Sequence, residues 1–351
     1  MERTQLLSLT QEELADFLRP LDPAPFRAKQ VGQWLARGAA IEEMTNLPAA
    51  LRARLAECAV ADPVSIRESF RSKLDDTQKL LYELSDGNLI EGVVMRYHYG
   101  DTLCLSTQVG CRMGCAFCAS TLEGLARSLS AGEILGQVIA ANRDEMRIHN
   151  IVLMGSGEPL DNYEQTVRFL RLLREPGGLQ TSLRAVSLST CGLPARIRTL
   201  AEEGLPVTLS VSLHAPDDAI RAQLMPVARS VSMDELLAAC RYYLDKTGRR
   251  VIFEYALIAG VNSRVEHAAA LASRLRGMQC HVNLIPLNPV PERGLAGAEE
   301  SAVQAFRQAL EARHISVTVR REMGRDIAGA CGQLRRGYLA SEGAKEGNER
   351  A

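Results

Sequence analysis

The sequence predicts an α/β protein: an incomplete (β/α) barrel with a small helical N-terminal domain and a β-hairpin extension. Three observations carry that expectation. From residue 102 onward short apolar runs alternate with amphipathic helical runs, which is the pattern of parallel βα units. The units are fewer than the eight of a closed barrel. The residues able to do chemistry fall just after the strands, where a barrel presents its reactive groups. A chain of 351 residues has room for one such barrel and a smaller domain.

Residues 1–60 show helical periodicity and no strand-like run. Thr10-Gln-Glu-Glu13 has the form of a capping box ahead of Leu14, Phe17 and Leu18, and Phe26, Val31, Trp34 and Leu35 make an apolar stripe. Arg27, Lys29 and Arg37 are basic residues of this segment, and exposed basic residues on helices are common. Residues 61–100 change character: 79–84 and 89–95 read as strands joined by Ser85-Asp86-Gly87-Asn88, a hairpin turn signal. Glu91 therefore lies on a strand, thirteen residues before Cys104.

The barrel is expected over 101–337. Its strands are 102–107, 150–155, 185–190, 206–213, 251–258, 281–286 and 315–320; its helices include 131–145, 163–174, 194–204, 232–246, 264–276 and 299–313. Cys111, Glu158, Ser189, His214 and Asn288 then sit at C-terminal strand ends. Residues 338–351, rich in Glu, Gly, Ala and Lys, are expected to be a disordered tail.

Composition narrows the class. With 46% hydrophobic and 24% charged residues the chain reads as an ordinary globular protein. No long apolar run marks a signal peptide or a membrane span, so no membrane association and a cytoplasmic location are expected. The nine cysteines are odd in number and clustered at 104–118, which favours a reduced compartment and a metal site over a disulfide framework. Net charge is -1, so no strong basic field announces a nucleic-acid partner. Locally, Arg320, Arg321, Arg325, Arg335 and Arg336 outnumber Glu322 and Asp326 around Cys331, a patch that either steers phosphates or is a solvated loop.

Cys111-Arg-Met-Gly-Cys115-Ala-Phe-Cys118 dominates the chemistry. Three thiolates in a short glycine-containing loop can hold one face of a [4Fe-4S] cube and leave its fourth iron open. Structural zinc is the alternative, but it prefers four closed ligands, and no second knuckle or His pair lies nearby.

This spacing resembles that of radical S-adenosylmethionine enzymes, whose open iron chelates the cofactor. With 103–111, Gly155-Ser-Gly-Glu-Pro159, Ser212-Leu-His-Ala-Pro216, Asn283-Leu-Ile-Pro-Leu-Asn-Pro289 and Ala330-Cys331-Gly-Gln-Leu334, the chain resembles the bacterial RNA adenine-C2 methyltransferase family from about residue 8 to residue 337. The resemblance implies a barrel of the radical S-adenosylmethionine type and one [4Fe-4S] cluster held by Cys111, Cys115 and Cys118. Two S-adenosylmethionine molecules would be used per turnover, at a site lined by Gly157, Glu158, Ser189, Ser212, Leu213, His214 and Asn288. It implies an RNA-binding N-terminal domain and, as substrates, an adenosine of 23S rRNA at the peptidyl transferase centre and the adenosine next to the anticodon in certain tRNAs. A one-electron donor such as flavodoxin and a monomeric protein complete the expectation.

The chemistry implied is covalent carriage of a methyl group. Adenine C2 is electron-poor and cannot attack a sulfonium methyl group as an amine would. One S-adenosylmethionine methylates Cys331; a second is cleaved to a 5′-deoxyadenosyl radical that takes a hydrogen atom from the methylated Cys331. The methylene radical adds to C2, Glu91 removes the C2 proton, and Cys104 attacks the Cys331 sulfur, releasing product as a disulfide forms. One departure stands out: the family has Asp-Ile-Asp-Ala before Ala330-Cys331, and here Asp326-Ile-Ala-Gly329 stands instead. The related C8 adenine methyltransferases of antibiotic resistance share the cluster and both cysteines, and a non-catalytic iron–sulfur RNA-binding protein is a reading from another class. Cys58, Cys191, Cys240 and Cys280 match no motif and are expected to pack in the core.

Overall fold

The computed structural model describes residues 3–144, 146–288 and 290–327. Its N-terminal segment carries α1 (Gln11–Leu18), α2 (Arg27–Leu35) and α3 (Ala49–Cys58) between two short strands, β1 (Thr4–Gln5) and β2 (Ala59–Val60). The box at the start of α1 forms as expected: Thr10 Oγ1 accepts from the Glu13 N–H and the Glu13 carboxylate accepts from the Thr10 N–H. This satisfies two orphan donors of the first turn and stabilises the helix by about 1 kcal/mol. The expectation of no strand here fails in one respect. β1 pairs parallel with β2, Thr4 opposite Ala59 and Gln5 opposite Val60, tying the ends of the segment together. Two residues offer no periodicity to read. Phe26 also departs from the stripe; it is 53% exposed, with the Arg27 guanidinium 4.8 Å above its ring, while Val31 and Leu35 are buried. The segment shares one apolar core with the barrel, in which Leu14, Leu18 and Val31 join Leu135, Ile139 and Leu172.

A ten-stranded sheet follows. β3 (Val64–Arg71), β4 (Gln78–Leu84), β5 (Leu89–Tyr97) and β6 (Gly100–Cys104) form an antiparallel meander. Gly87, at φ 81°, makes the β4–β5 turn where a side chain would be strained. The ribbon β7 (Gln108–Gly110) and β8 (Leu125–Ser128) stands apart from the sheet. From β6 the sheet turns parallel through β9 (Ile148–Leu153), β10 (Val186–Thr190), β11 (Thr208–Ser212), β12 (Val251–Leu257), β13 (Cys280–Pro286) and β14 (Val317–Val319), each beside the last. The crossovers are α4 (Ala131–Arg143), α5 (Tyr163–Leu172), α6 (Pro194–Glu202), α7 and α8 (Asp218–Leu224, Met233–Thr247), α9 (Val265–Leu275) and α10 (Glu300–Glu311). Strand order follows chain order and the first and last parallel strands are not paired, so this is an open (β/α) barrel. All seven strands and six helices expected for it appear, and α7 is an addition.

The strands sort their side chains with period two. In β10, Val186 and Leu188 enter the apolar core while Ser187 and Ser189 are less buried; in β13, Val282 and Leu284 enter the core while His281 and Asn283 are on the other face. Polar groups thus collect on the face opposite the helices.

Candidate functional site

The cysteine loop springs from the β7–β8 ribbon. The Cys111 N–H donates to Gly124 O at 2.8 Å, and the Ala116 N–H donates to Leu224 O at the end of α7 at 2.8 Å. Thr121 Oγ1 donates to Cys115 O at 3.2 Å and Cys118 O at 2.9 Å. Gly110 is required at the loop's root: at φ 77° a Cβ would lie 2.0 Å from Gly124 O. Backbone bonds and a close glycine contact therefore fix the loop's course.

All three thiols open on a cavity of about 270 Å³ at the C-terminal ends of the parallel strands. Gly157, Glu158, Ser189, Ser212, His214 and Asn288 line it with them. Burial pushes the Cys111 thiol up to about 12 and raises Cys115 and Cys118, with the neighbouring thiols adding to the rise at Cys111 and Cys115. Such thiols ionise when they ligate a metal. Among the described residues no three His, Cys, Asp or Glu side chains converge on a point for a single ion. A structural zinc site needs that convergence; a cube that gives each thiolate its own iron needs the thiols to face one cavity, as these do.

Glu158 is held rather than free. It is buried, its Oε1 accepts from the Leu160 N–H at 3.0 Å and its Oε2 from the Cys191 N–H at 2.6 Å. Burial raises its pKa against these hydrogen bonds. The Thr190 and Cys191 side chains also hydrogen-bond to it, so the carboxylate is fixed in the cavity wall as an acceptor for an ammonium group. Gly157, at φ 107°, lies so close to Gln108 that a Cβ would meet Gln108 Cβ at 2.6 Å, so the turn exposes backbone to the cavity.

His214 adopts φ 55°, with its ring 4.6 Å from that of Phe117. Its Nδ1 accepts from the Ala256 N–H at 2.9 Å, which puts the ring proton on Nε2. Burial pushes its pKa down to about 3, and Arg221 adds to this, so the ring is a neutral donor. Asn262, fully buried, clips the loops together through His214 O, Ala256 O and the Ile258 N–H. Leu213 differs from its neighbours. Its side chain lies in the apolar core and only its backbone runs along the site.

A second cavity of about 170 Å³ abuts the first, sharing Met154, Gly155, Ile285, Asn288 and Arg320 as its wall. It contains both Glu91 and Cys104. Glu91 is 3% exposed and its carboxylate lies 3.1 Å from the fully buried Lys79 Nζ, the residues being brought together by β4–β5 pairing. Cys104 pairs with Val93, two residues along β5 from Glu91 and on the same face. Burial pushes the Cys104 thiol up to about 11, and the Arg320 guanidinium opposes that rise. Cys331, the remaining expected catalytic residue, lies outside the described residues.

Sequence reasoning missed several participants. Cys191 packs as expected in a buried apolar cluster, with Leu224, Met225 and Ile258, and in addition lines the first cavity at the end of β10. Glu254 on β12 also lines it, buried, with Asn283 Nδ2 donating to its carboxylate at 2.9 Å; burial raises its pKa while Arg320 and Asn283 oppose this. Arg320 lines both cavities. Position at a strand end was the one signal available for Cys191; Glu254 needed the register, and Arg320, singled out only as part of a basic patch, needed it to be placed on the cavity wall. Cys240 and Cys280 do pack in the core, and Cys58 is half-buried, its Sγ bonded to Arg54 O. Of the N-terminal cations, Arg27 is paired with Asp22 at 2.6 Å.

Comparison with known proteins agrees over nearly the whole chain. The model of the Radical SAM superfamily matches residues 105–272, and that of the Ribosomal RNA large subunit methyltransferase N-terminal domain matches residues 4–61. A probable dual-specificity RNA methyltransferase RlmN from Alkaliphilus oremlandii (strain OhILAs) is 51% identical over 97% of this chain and 99% of its own length. The protein of the same name from Clostridioides difficile (strain 630) is 48% identical over 96% and 100%. The crystal structure of a radical SAM methyltransferase from Sphaerobacter thermophilus superposes with a TM-score of 0.90 at 44% identity, covering 94% of this chain and 98% of that one. Among the described residues no helix is long and apolar enough to cross a membrane.

Proposed function

We propose that this chain, which belongs to the RlmN family of dual-specificity RNA methyltransferases in the radical SAM superfamily, methylates C2 of an adenosine in 23S rRNA and C2 of the adenosine next to the anticodon in tRNAs. One observation carries the reading: the cavity faced by three thiols shares a wall with the cavity that holds Glu91 and Cys104. Cofactor and base then sit side by side, within one open barrel mouth.

Cys111, Cys115 and Cys118 hold one [4Fe-4S] cluster per chain, and the Gly157–Glu158 turn, Ser189, Ser212, the Leu213 backbone, His214 and Asn288 surround S-adenosylmethionine, of which two are used per turnover. When bound, these groups supply the methyl group and the one-electron abstraction of a hydrogen atom. Cys331 carries the methyl as a thioether and delivers its carbon to C2. Glu91 takes the C2 proton as general base, oriented by Lys79 Nζ at 3.1 Å. Cys104 must lose its own proton to act, and Arg320 favours its thiolate. Once the adduct's unpaired electron has passed back to the one-electron centre that the three thiolates would hold, Cys104 attack on the Cys331 sulfur makes a disulfide and breaks the carbon–sulfur bond; the freed carbon takes a proton and becomes the methyl group. A thiol reductant returns both cysteines.

The base must leave its stack to reach this depth. Tyr97, which packs on the wall of the second cavity, and Tyr99, 59% exposed, stack with ring centroids 4.9 Å apart, a flat face for an unpaired base at the cavity's edge. Residues 1–60 form the RNA-binding domain, where Lys29 and Arg37 remain for phosphate contact; 61–100 is the hairpin extension and 101–337 the catalytic barrel, while the tail expected over 338–351 lies outside the described residues. The protein acts as a cytoplasmic monomer with a one-electron donor such as flavodoxin.

Glu91→Gln tests the assignment. It lowers RNA methylation by roughly 10²- to 10⁴-fold while release of 5′-deoxyadenosine continues. A variant that methylates RNA within a few fold of the wild type would remove Glu91 from the reaction.

A further inference from the structure

Two arginines flank the cysteine loop without the partners a buried cation ordinarily has. Arg221, on α7, is 0% exposed. Its Nη2 donates to Cys191 O at 2.6 Å, but Nε and Nη1 have no hydrogen-bond partner among the described residues. Arg293 reaches the loop itself: its Nη2 donates to Thr121 Oγ1 at 2.6 Å, and its buried Nε is likewise unpartnered among the described residues. That same Thr121 hydroxyl reaches Cys115 O and Cys118 O. Neither guanidinium makes an ion pair with a described carboxylate.

A guanidinium taken out of water without a counter-charge is strongly destabilising, and an arginine cannot escape by losing its proton. The fold nevertheless keeps Arg221 in place. α7 is tied to the cysteine loop by the Ala116 N–H to Leu224 O bond, and a Cβ on Gly114 would lie 3.3 Å from Pro226 Cγ, just beyond the helix. A negatively charged ligand held by the cysteine loop would supply the counter-charge. An iron–sulfur group bound by three thiolates is negative, becomes more so on reduction, and would be held by the loop to which Arg293 and the helix carrying Arg221 are hydrogen-bonded.

We propose that Arg221 and Arg293 are the counter-charges of that group and raise its reduction potential. The proposal rests on the reading that Cys111, Cys115 and Cys118 hold a cluster. Two fixed cations in a medium of low dielectric stabilise the reduced state more than the oxidised one, as outer-sphere groups do at metal sites generally. Electron entry, the first demand of the chemistry, becomes easier.

The test is a potentiometric titration of the reconstituted full-length protein, followed by the electron paramagnetic resonance signal of the reduced cluster, with neither S-adenosylmethionine nor RNA present. In Arg221→Met the ratio of reduced to oxidised cluster at a fixed poise falls about tenfold, a shift of about 59 mV to lower potential for a one-electron couple. Arg221→Lys, which keeps the charge, stays near the wild type. Arg293→Gln, at a half-buried position that tolerates replacement, shifts in the same direction and decides the matter where Arg221→Met fails to fold. Charge-removing variants with full iron and sulfide content at wild-type potential would overturn the proposal, as would a lysine variant shifted as far as the methionine. Wild-type protein that takes up no cluster would bring down the cofactor reading, and this inference with it.

Discussion

Cys104→Ala stalls the protein on its RNA after a single event. The account gives Cys104 one task, to attack the Cys331 sulfur and free the methylated base, and no other described cysteine lines that cavity. Without it the base stays joined through a methylene bridge to Cys331, so multiple-turnover methylation falls on the order of 10⁴-fold or more. A covalent protein–RNA adduct accumulates that survives denaturing electrophoresis. The change removes one sulfur from a small apolar cluster with Val93 and Met95 and leaves the strand pairing to Val93 intact, so the fold persists. Normal turnover without an adduct would exclude Cys104 from product release. Cys331→Ala gives the complementary result, no adduct and no methylated RNA.

Replacing any one of Cys111, Cys115 or Cys118 by alanine has an effect of the same size, earlier in the reaction. Iron–sulfur absorption disappears after reconstitution, and 5′-deoxyadenosine formation falls on the order of 10⁴-fold or more. Cys191→Ala is the informative companion: its thiol lines the same cavity, yet it lies outside the three-residue ligand set. It retains cluster and cleavage. A Cys115→Ala protein that still bound a full complement of iron, or a Cys191→Ala protein that bound none, would overturn the ligand assignment.

The parallel strands were legible because each is an apolar run between amphipathic helical segments, the signal that period and length report best. β3 was not: Val64–Arg71 alternates poorly, is largely exposed and lies at the edge of the sheet, so only its pairing to β4 defines it. β7 and β8, of three and four residues, are below the length at which alternation can be seen. At the site, the three cysteines were readable from spacing alone. Glu91 was placed on its strand, but its burial against Lys79 arises from two strands in register, Leu81 lying opposite Glu91. Arg221 looks in sequence like one more helical arginine, because nothing local says that α7 is packed under a cysteine loop a hundred residues earlier. Chemistry carried by local spacing was visible; chemistry assembled by register and helix docking was not.

The most direct measurement is mass spectrometry of nucleosides from 23S rRNA fragments incubated with reconstituted protein, S-adenosylmethionine and a reductant. The account predicts 2-methyladenosine, formed with 5′-deoxyadenosine. 8-Methyladenosine would contradict the assigned regiochemistry, and 5′-deoxyadenosine without any methylated nucleoside would contradict RNA as the substrate.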